Sequence, residues 1–385
     1  MHVAILFGGP ISRDYGTSER VLQIAKGLAY QGVQVTLSGS MGRRVKALDL
    51  TSLRVIIMPN RILEFLRVCG WIAQLVAGGL SRKYDIVQME SFSSPRTSAL
   101  FLLMRPFSRK FVIVFNDKWF EHDPRKTIIG RLQVTAQRIL LTLFDASITP
   151  GLSVRKWFEE LHGELANKML VIPNGVPGFA ITKNIDYSYL REKHKIDSNA
   201  FAALFFGTMA FKPNYDTAMY LYNISDSTAQ KFEKSTGRKL IFIVAGLGSE
   251  TLPKTEHYIP LGFVNELDEL LSLPDVIVFP HIPSFSGPHV KTIYAFLSRK
   301  PVIASEDAVK DMPYVAPGRH YLPFNINEPY TLLEALLELY YNKKIGENLT
   351  INAYQYAKKF SWKYISYLHL KLYERLLLKN QKPTN

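Results

Sequence analysis

The chain has 385 residues, with 47 Lys and Arg against 33 Asp and Glu, a formal net charge of +14, and 47% hydrophobic and 21% charged residues. Such a length favours two well-packed domains over one, the composition excludes a low-complexity or disordered chain, and the single cysteine, Cys69, excludes an intrachain disulfide and a cysteine-rich metal site. Residues 1–175 hold 23 of the basic and only 13 of the acidic side chains, so the first half suits an anionic partner (membrane surface, phosphate-bearing acceptor or nucleic acid) unless the charge serves only solubility.

In chain order, the N-terminal "MHVAILFGGP" lacks the charged lead and long apolar core of a signal peptide. It reads as a first buried strand ending in Gly8 and Gly9, and makes the cytoplasm the default location. The next stretch, "ISRDYGTSERVLQIAKGL", does not have the Gly-x-Gly-x-x-Gly spacing of a dinucleotide site. Gly16 and Thr17 stand before a helix with Ser18 as its N-cap, and the amides there either meet an anion or a sugar hydroxyl or simply close a turn. The most apolar window, residues 62–80, is broken by Glu64, Arg67 and Gln74, which share a helical face with Trp71; it reads as an amphipathic helix rather than a membrane span.

Short β-branched and aromatic runs alternate with helical patterns: "VAILF" (3–7), "VQVTL" (33–37), "LRVIIM" (53–58), "DIVQME" (85–90), "KFVIVFND" (110–117), "ASITP" (146–150) and "MLVIPN" (169–174). After the Pro- and Gly-punctuated "VIPNGVPGF" a second series follows: "AALFFG" (202–207), "LIFIVAG" (240–246), "YIPLGF" (258–263), "VIVFP" (276–280), "PVIAS" (301–305) and "HYLPF" (320–324). This rhythm predicts two doubly wound α/β domains in tandem. Ligands then bind beyond the carboxyl ends of the strands, where Gly207, Gly246 and Gly262 allow close approach of backbone.

The loop "SFSGPHV" (284–290) lies between a predicted strand and the predicted helix "KTIYAFLS". It turns amides and a helix dipole outward, with His289 and Lys291 as flanking donors, and a diphosphate is the natural guest. Near the C-terminus, Lys363, Tyr367, Lys371 and Arg375 recur every four residues, a stripe that either is a solvated face opposite Ile365, Leu368, Leu372 and Leu376 or touches anionic lipid headgroups.

The segment "SGPHVKTIYAFLSRKPVIAS" resembles the donor-binding segment of glycosyltransferase family 4. Four further pieces are similar to the family in the same order: "GTSERVLQIAKGLAYQGVQVTL", "VIPNGV", "FFGTMAFKPNYDTAMYL" and "IPLGFVNELDELLSLPDVIVFP"; the ending "YAKKFSWKYISYLHLKLYERLL" is similar to the family's terminal helix. The resemblance implies the GT-B fold: two Rossmann-like domains facing a cleft, with an acceptor domain over 1–172, a hinge over 173–180, a donor domain over 181–359 and a C-terminal helix, about 360–379, crossing back to the first domain. It also implies retaining, metal-independent transfer of a hexose-type sugar from a UDP or GDP donor to a glycan or lipid-linked acceptor, without a cofactor and without nucleic acid, at a cytoplasmic or membrane-peripheral location.

Carried over by the resemblance, Gly207, Thr208 and Lys212 face the donor phosphates, Gly246 edges the donor site, Phe263 and Val264 lie at the nucleobase, and Ser286, Gly287, Pro288 and His289 adjoin the diphosphate and sugar beside Lys291. Ser286 and Tyr294 replace two family glutamates, and Tyr294 offers the ribose one hydroxyl in place of a carboxylate. Arg299 replaces a glycine. On the acceptor side Asn116 stands where many members carry a histidine, followed by Asp117 and, further on, His122; Glu90, Gly9, Gly16 and Thr17 edge the acceptor site. Asn116, Asp117, Lys212 and Lys291 are the expected catalytic residues. These departures define the alternative expectation, an inactive GT-B descendant that binds sugar or recruits a partner.

Overall fold

The computed structural model describes residues 1–11, 16–41, 51–58, 84–90, 102–116, 124–176, 187–282 and 290–378. The chain divides into two compact units, Met1–Gly175 with Ser361–Asn385, and Val176–Phe360. In the first unit, β1 (His2–Ile11), α1 (Gly16–Tyr30), β2 (Gln34–Met41), β3 (Arg54–Met58), β4 (Tyr84–Glu90), β5 (Ser108–Val114), α2 (Ile128–Leu143), β6 (Ala146–Thr149), α3 (Leu152–His162) and β7 (Met169–Val171) follow in order. The second contains α4 (Tyr187–Lys193), β8 (Phe201–Phe206), α5 (Lys212–Thr236), β9 (Leu240–Ala245), β10 (Tyr258–Gly262), α6 (Leu267–Ser272), β11 (Val276–Phe279), α7 (Val290–Leu297), β12 (Val302–Ala304), α8 (Glu306–Val309), β13 (Leu322–Pro323), α9 (Tyr330–Tyr341) and α10 (Lys343–Ala357). The chain then returns to the first unit as α11 (Trp362–Leu378).

Each strand overlaps a run that the sequence predicts as strand, and β1 and β2 run four residues past the ends of theirs. The first sheet has seven parallel strands in the order β3-β2-β1-β4-β5-β6-β7, the second six in the order β10-β9-β8-β11-β12-β13. Both orders reverse direction beside their first strand, between β1 and β4 and between β8 and β11. At such a switch point the connections leave to opposite sides and open a crevice at the strands' carboxyl ends. The register sets Phe7 beside Glu90 at the first crevice, and Phe206 and Phe279 end the strands flanking the second.

Side-chain alternation fixes which helices cover which face. In the first unit Val3, Ile5 and Phe7 of β1 join the core under α1 and α11, whereas Ala4 and Leu6 join the core that takes in Leu140 and Leu141 of α2 and Val154 and Phe158 of α3. The residues of β8 and β9 are buried along their whole lengths, as strands covered on both faces must be. No helix among the described residues is long and apolar enough to cross a membrane.

The capping expectation needs correction. α1 begins at Gly16, so Ser18 lies inside the first turn instead of capping it, and its buried hydroxyl has no hydrogen-bond partner among the described residues.

α11 is held against α1 by a close approach at Gly27. A Cβ on Gly27 would come within 2.2 Å of Ser366 Oγ, the hydroxyl that accepts a hydrogen bond from Gln31 at 2.9 Å. The same helix buries Ile365, Leu372, Tyr373 and Leu376 in the first unit's core. Replacing Gly27 by Val should force the two helices apart and cost about 1–3 kcal/mol, read as a lowered midpoint in denaturant unfolding; an unchanged midpoint would show that this contact is not needed.

Candidate functional site

The second unit builds its crevice from two short-range devices. After β8 the chain passes through Gly207 and enters α5, whose first residues are Lys212, Pro213 and Asn214; the proline presets the first turn, and the Asn214 and Tyr215 amides donate back to Phe211 O at 2.9 and 3.2 Å. Gly246, at φ 128°, ends β9 so close to β8 that a Cβ would lie 2.0 Å from Gly207 O. Only glycine fits there, and it keeps the two strand ends level.

Across the crevice, Lys291 in the first turn of α7 sends its ammonium over the side chains of the two flanking strands. Nζ lies 4.6 Å from the Phe205 ring centre and 5.7 Å from that of Phe279, and it donates to Asn214 Oδ1 at 2.6 Å. Asn214 in turn donates to Thr208 O at 2.9 Å, which fixes the orientation of its amide. Part of the Lys291 stem stays accessible, but the amine itself is enclosed, and burial pushes its pKa well below the ordinary lysine value. The two rings and one amide oxygen are neutral partners that answer the charge only in part.

The first unit places a different set at its crevice. Glu90 ends β4 fully buried, Arg20 enters from α1 at 2% exposure, and Asn116 follows β5 at 8%. Arg20 donates to Asn174 Oδ1 at 2.7 Å. Gln88 donates to Glu90 Oε1 at 2.6 Å and accepts from Tyr373 of α11, with His369 Nδ1 3.3 Å from the same Gln88 oxygen. Burial pushes the Glu90 carboxyl above its usual range; the Arg20 charge, then Gln88 and Asn116, pull it partly back. Burial, joined by the Arg20 charge, drives His369 well below its usual value and keeps it neutral. Among the described residues, Glu90 Oε2, Arg20 Nε and Nη2, and both amide atoms of Asn116 have no hydrogen-bond partner of ordinary geometry. Buried acceptors and donors left over at one crevice are what a polyhydroxylated ligand can satisfy.

Comparison with known proteins gives these crevices a context. Residues 15–177 match the family model of Glycosyltransferase Family 4. The match lies almost wholly within the first unit, so that part of the chain is similar to glycosyltransferase family 4. Solved structures agree on the GT-B fold. A glycosyltransferase from Rickettsia africae superposes with a TM-score of 0.73 at 17% identity, covering 99% of both chains. Anabaena HepE, solved with UDP, gives 0.71 at 17% identity over 97% of this chain and 100% of its own. WaaG, a glycosyltransferase involved in lipopolysaccharide biosynthesis, gives 0.63 at 13% over 97% and 99%. Comparison with curated proteins finds no match.

The expected site residues fall into groups. At the second crevice Gly207, Thr208, Gly246 and Lys291 stand together, and Thr208 is joined to Lys291 through Asn214. Lys212 begins α5 with its side chain 81% exposed and paired to Asp216 at 2.6 Å. Phe263, 58% exposed, and the half-buried Val264 follow Gly262, while Tyr294 is partly buried against the unit's core. At the first crevice Glu90 and Asn116 are brought together, and Gly16 and Thr17 open α1; contrary to expectation, Gly8 and Gly9 do not end the first strand, because β1 runs on to Ile11 and pairs there with Met41 of β2. Asp117, His122, Ser286, Gly287, Pro288 and His289 lie outside the described residues, as do Trp71 and residues 62–80. Arg299 keeps a left-handed conformation, φ 57°, with its guanidinium 4.4 Å from the centre of the Tyr354 ring. Among the described residues no three His, Cys, Asp or Glu side chains converge to hold a metal ion.

Arg20, Gln88, Asn174, His369, Tyr373 and Asn214 were not anticipated. A signal for three of them exists in the pattern: Arg20 occupies the row of α1 shared with Ile24 and Leu28, His369 the row of α11 shared with Ile365 and Leu372, and Gln88 an inner position of a buried strand. Charged or polar residues on rows destined for the core need partners, so their presence marks a network. Replacing Arg20 by Ala should strand Glu90 in the interior and destabilise the protein by about 3 kcal/mol, with partial recovery in Arg20→Met/Glu90→Gln. Denaturant unfolding at neutral pH of the single and paired variants checks this; additive losses would dissolve the coupling.

Proposed function

We propose that the protein is a retaining glycosyltransferase that moves a hexose-type unit from a nucleoside-diphosphate sugar, held by the second unit, to a hydroxyl of a glycan or lipid-linked acceptor bound on the first. The single observation that carries this reading is the enclosed ammonium of Lys291, set by Asn214 at the switch point between β8 and β11. The family-model match over residues 15–177 and the fold shared with HepE, solved with UDP and with UDP-glucose, support it.

In the reaction the acceptor oxygen bonds to the anomeric carbon as the bond from that carbon to the diphosphate oxygen breaks. The acceptor proton passes to the departing diphosphate, so no separate protein base is required. Negative charge grows on the diphosphate, and a cation already desolvated beside it stabilises that growth more than one in water, without reorganising. Lys291 is assigned this role. Glu90 and Asn116 are assigned to acceptor hydroxyls, the Arg20 charge offsetting part of the rise that burial gives the Glu90 pKa.

The lowered pKa of Lys291 gives the proposal a pH signature. A diphosphate binds the protonated amine, so nucleotide binding draws in a proton wherever the free amine has lost it. Affinity should then fall by up to about tenfold per pH unit above the lowered pKa, well before the ordinary lysine range. Lys291→Ala should lose that slope along with about 10²–10³ of kcat. Calorimetry with UDP, GDP and their sugars across neutral to alkaline pH tests this. A nucleotide bound equally well by the parent and Lys291→Ala at every pH would overturn the assignment.

A further inference from the structure

The outer face of α2 is more apolar than a water-facing helix needs to be. The helix is capped by Thr127, whose hydroxyl accepts from Gly130 N at 3.0 Å. It packs inward through Val134, Gln137, Leu140 and Leu141. Yet Ile128 is 74% exposed, Ile129 70%, Leu132 65%, Ile139 55% and Leu143 46%. At the helical repeat these five fall, with Ala136, in one unbroken arc of about 100°. Isolated apolar side chains on a surface need no explanation, but a contiguous stripe along a helix does.

Charge identifies what covers it. From Pro124 to Phe144 the only charged residues are Arg125, Lys126, Arg131 and Arg138, and there is no Asp or Glu. Arg131 and Arg138 are exposed and lie together on one flank of the arc, with Thr135 and Thr142 between them and the isoleucines. A second copy of the chain on this face would bring like charges together with no carboxylate of α2 to answer them. A surface that is apolar below and anionic at its rim answers both features at once.

We propose that α2 docks the protein on an anionic lipid bilayer, lying in the headgroup plane with Ile128, Leu132, Ile139 and Leu143 inserted and Arg131 and Arg138 on lipid phosphates. The basic stripe of α11 is a weaker candidate, because Lys371 is paired to Glu374 at 2.7 Å and lies over the Tyr367 ring. The docking proposal is independent of the nucleotide site, since none of these side chains belongs to either crevice.

Co-sedimentation with phosphatidylcholine vesicles, with and without phosphatidylglycerol, tests it. The parent should sediment with the anionic vesicles and release at high salt. Ile128→Ser/Leu132→Ser/Ile139→Ser should reduce partitioning by about tenfold or more, and Arg131→Glu/Arg138→Glu should abolish the preference for phosphatidylglycerol. All five positions are exposed, so unfolding midpoints and nucleotide affinity should not move. No sedimentation, or sedimentation that the variants leave unchanged, would overturn the proposal. So would concentration-dependent self-association of the parent that the serine variant removes, because the face would then be an interface between copies.

Discussion

A lysine ammonium taken out of water needs an answering charge, and among the described residues Lys291 meets an amide oxygen and the faces of two aromatic rings. The residues around it serve to hold that imbalance in place. Asn214 is oriented by Thr208 O, its helix is entered from β8 through Gly207, and Gly246 holds the neighbouring strand end level with it. Phe205 and Phe279 belong to the two strands between which the sheet order reverses, so the topology that opens the crevice also supplies its floor. An anion entering there supplies a countercharge to the buried amine and raises its lowered pKa.

The first unit repeats the topology with opposite chemistry. Its switch point carries the carboxyl of Glu90, which feels the charge of Arg20 on α1 and is tied through Gln88 to Tyr373 and His369 on α11. The C-terminal helix therefore has two roles. It closes a core through Ile365, Leu372 and Leu376, and it completes the hydrogen-bonding behind the acid at the strand end. The close approach at Gly27 is what allows α11 to come near enough for both. Neutral groups behind the pair suit it: the depressed pKa of His369 keeps a second positive charge away from Arg20.

The sheets were legible in the sequence because buried parallel strands are short, β-branched and bounded by glycine, and even the two-residue β13 left a trace in "HYLPF". The crevice residues at strand ends, Glu90, Asn116 and Gly207, were legible for the same reason: the end of a run locates them. What could not be read was partnership. Asn214 is joined to Lys291 across 77 residues and Tyr373 to Gln88 across 285. No local pattern encodes such distances; only the helix row on which a polar residue falls hints at them. Ser18 shows the converse limit, since a residue of good capping chemistry yielded to a helix that starts at Gly16. The exposed face of α2 was missed because a helix with Leu, Ile and Val on most sides looks buried, and the pattern does not say which apolar side meets the sheet.

The central claim is that Lys291 takes the diphosphate of a nucleotide donor at the carboxyl end of the second sheet. A crystal structure with UDP or GDP bound tests it most directly. The account predicts the β-phosphate within hydrogen-bond distance of Lys291 Nζ and beside the first turn of α5, with Asn214 still supporting the amine. A nucleotide seated elsewhere, or a diphosphate at this crevice that leaves Lys291 bonded to Asn214 alone, would contradict it.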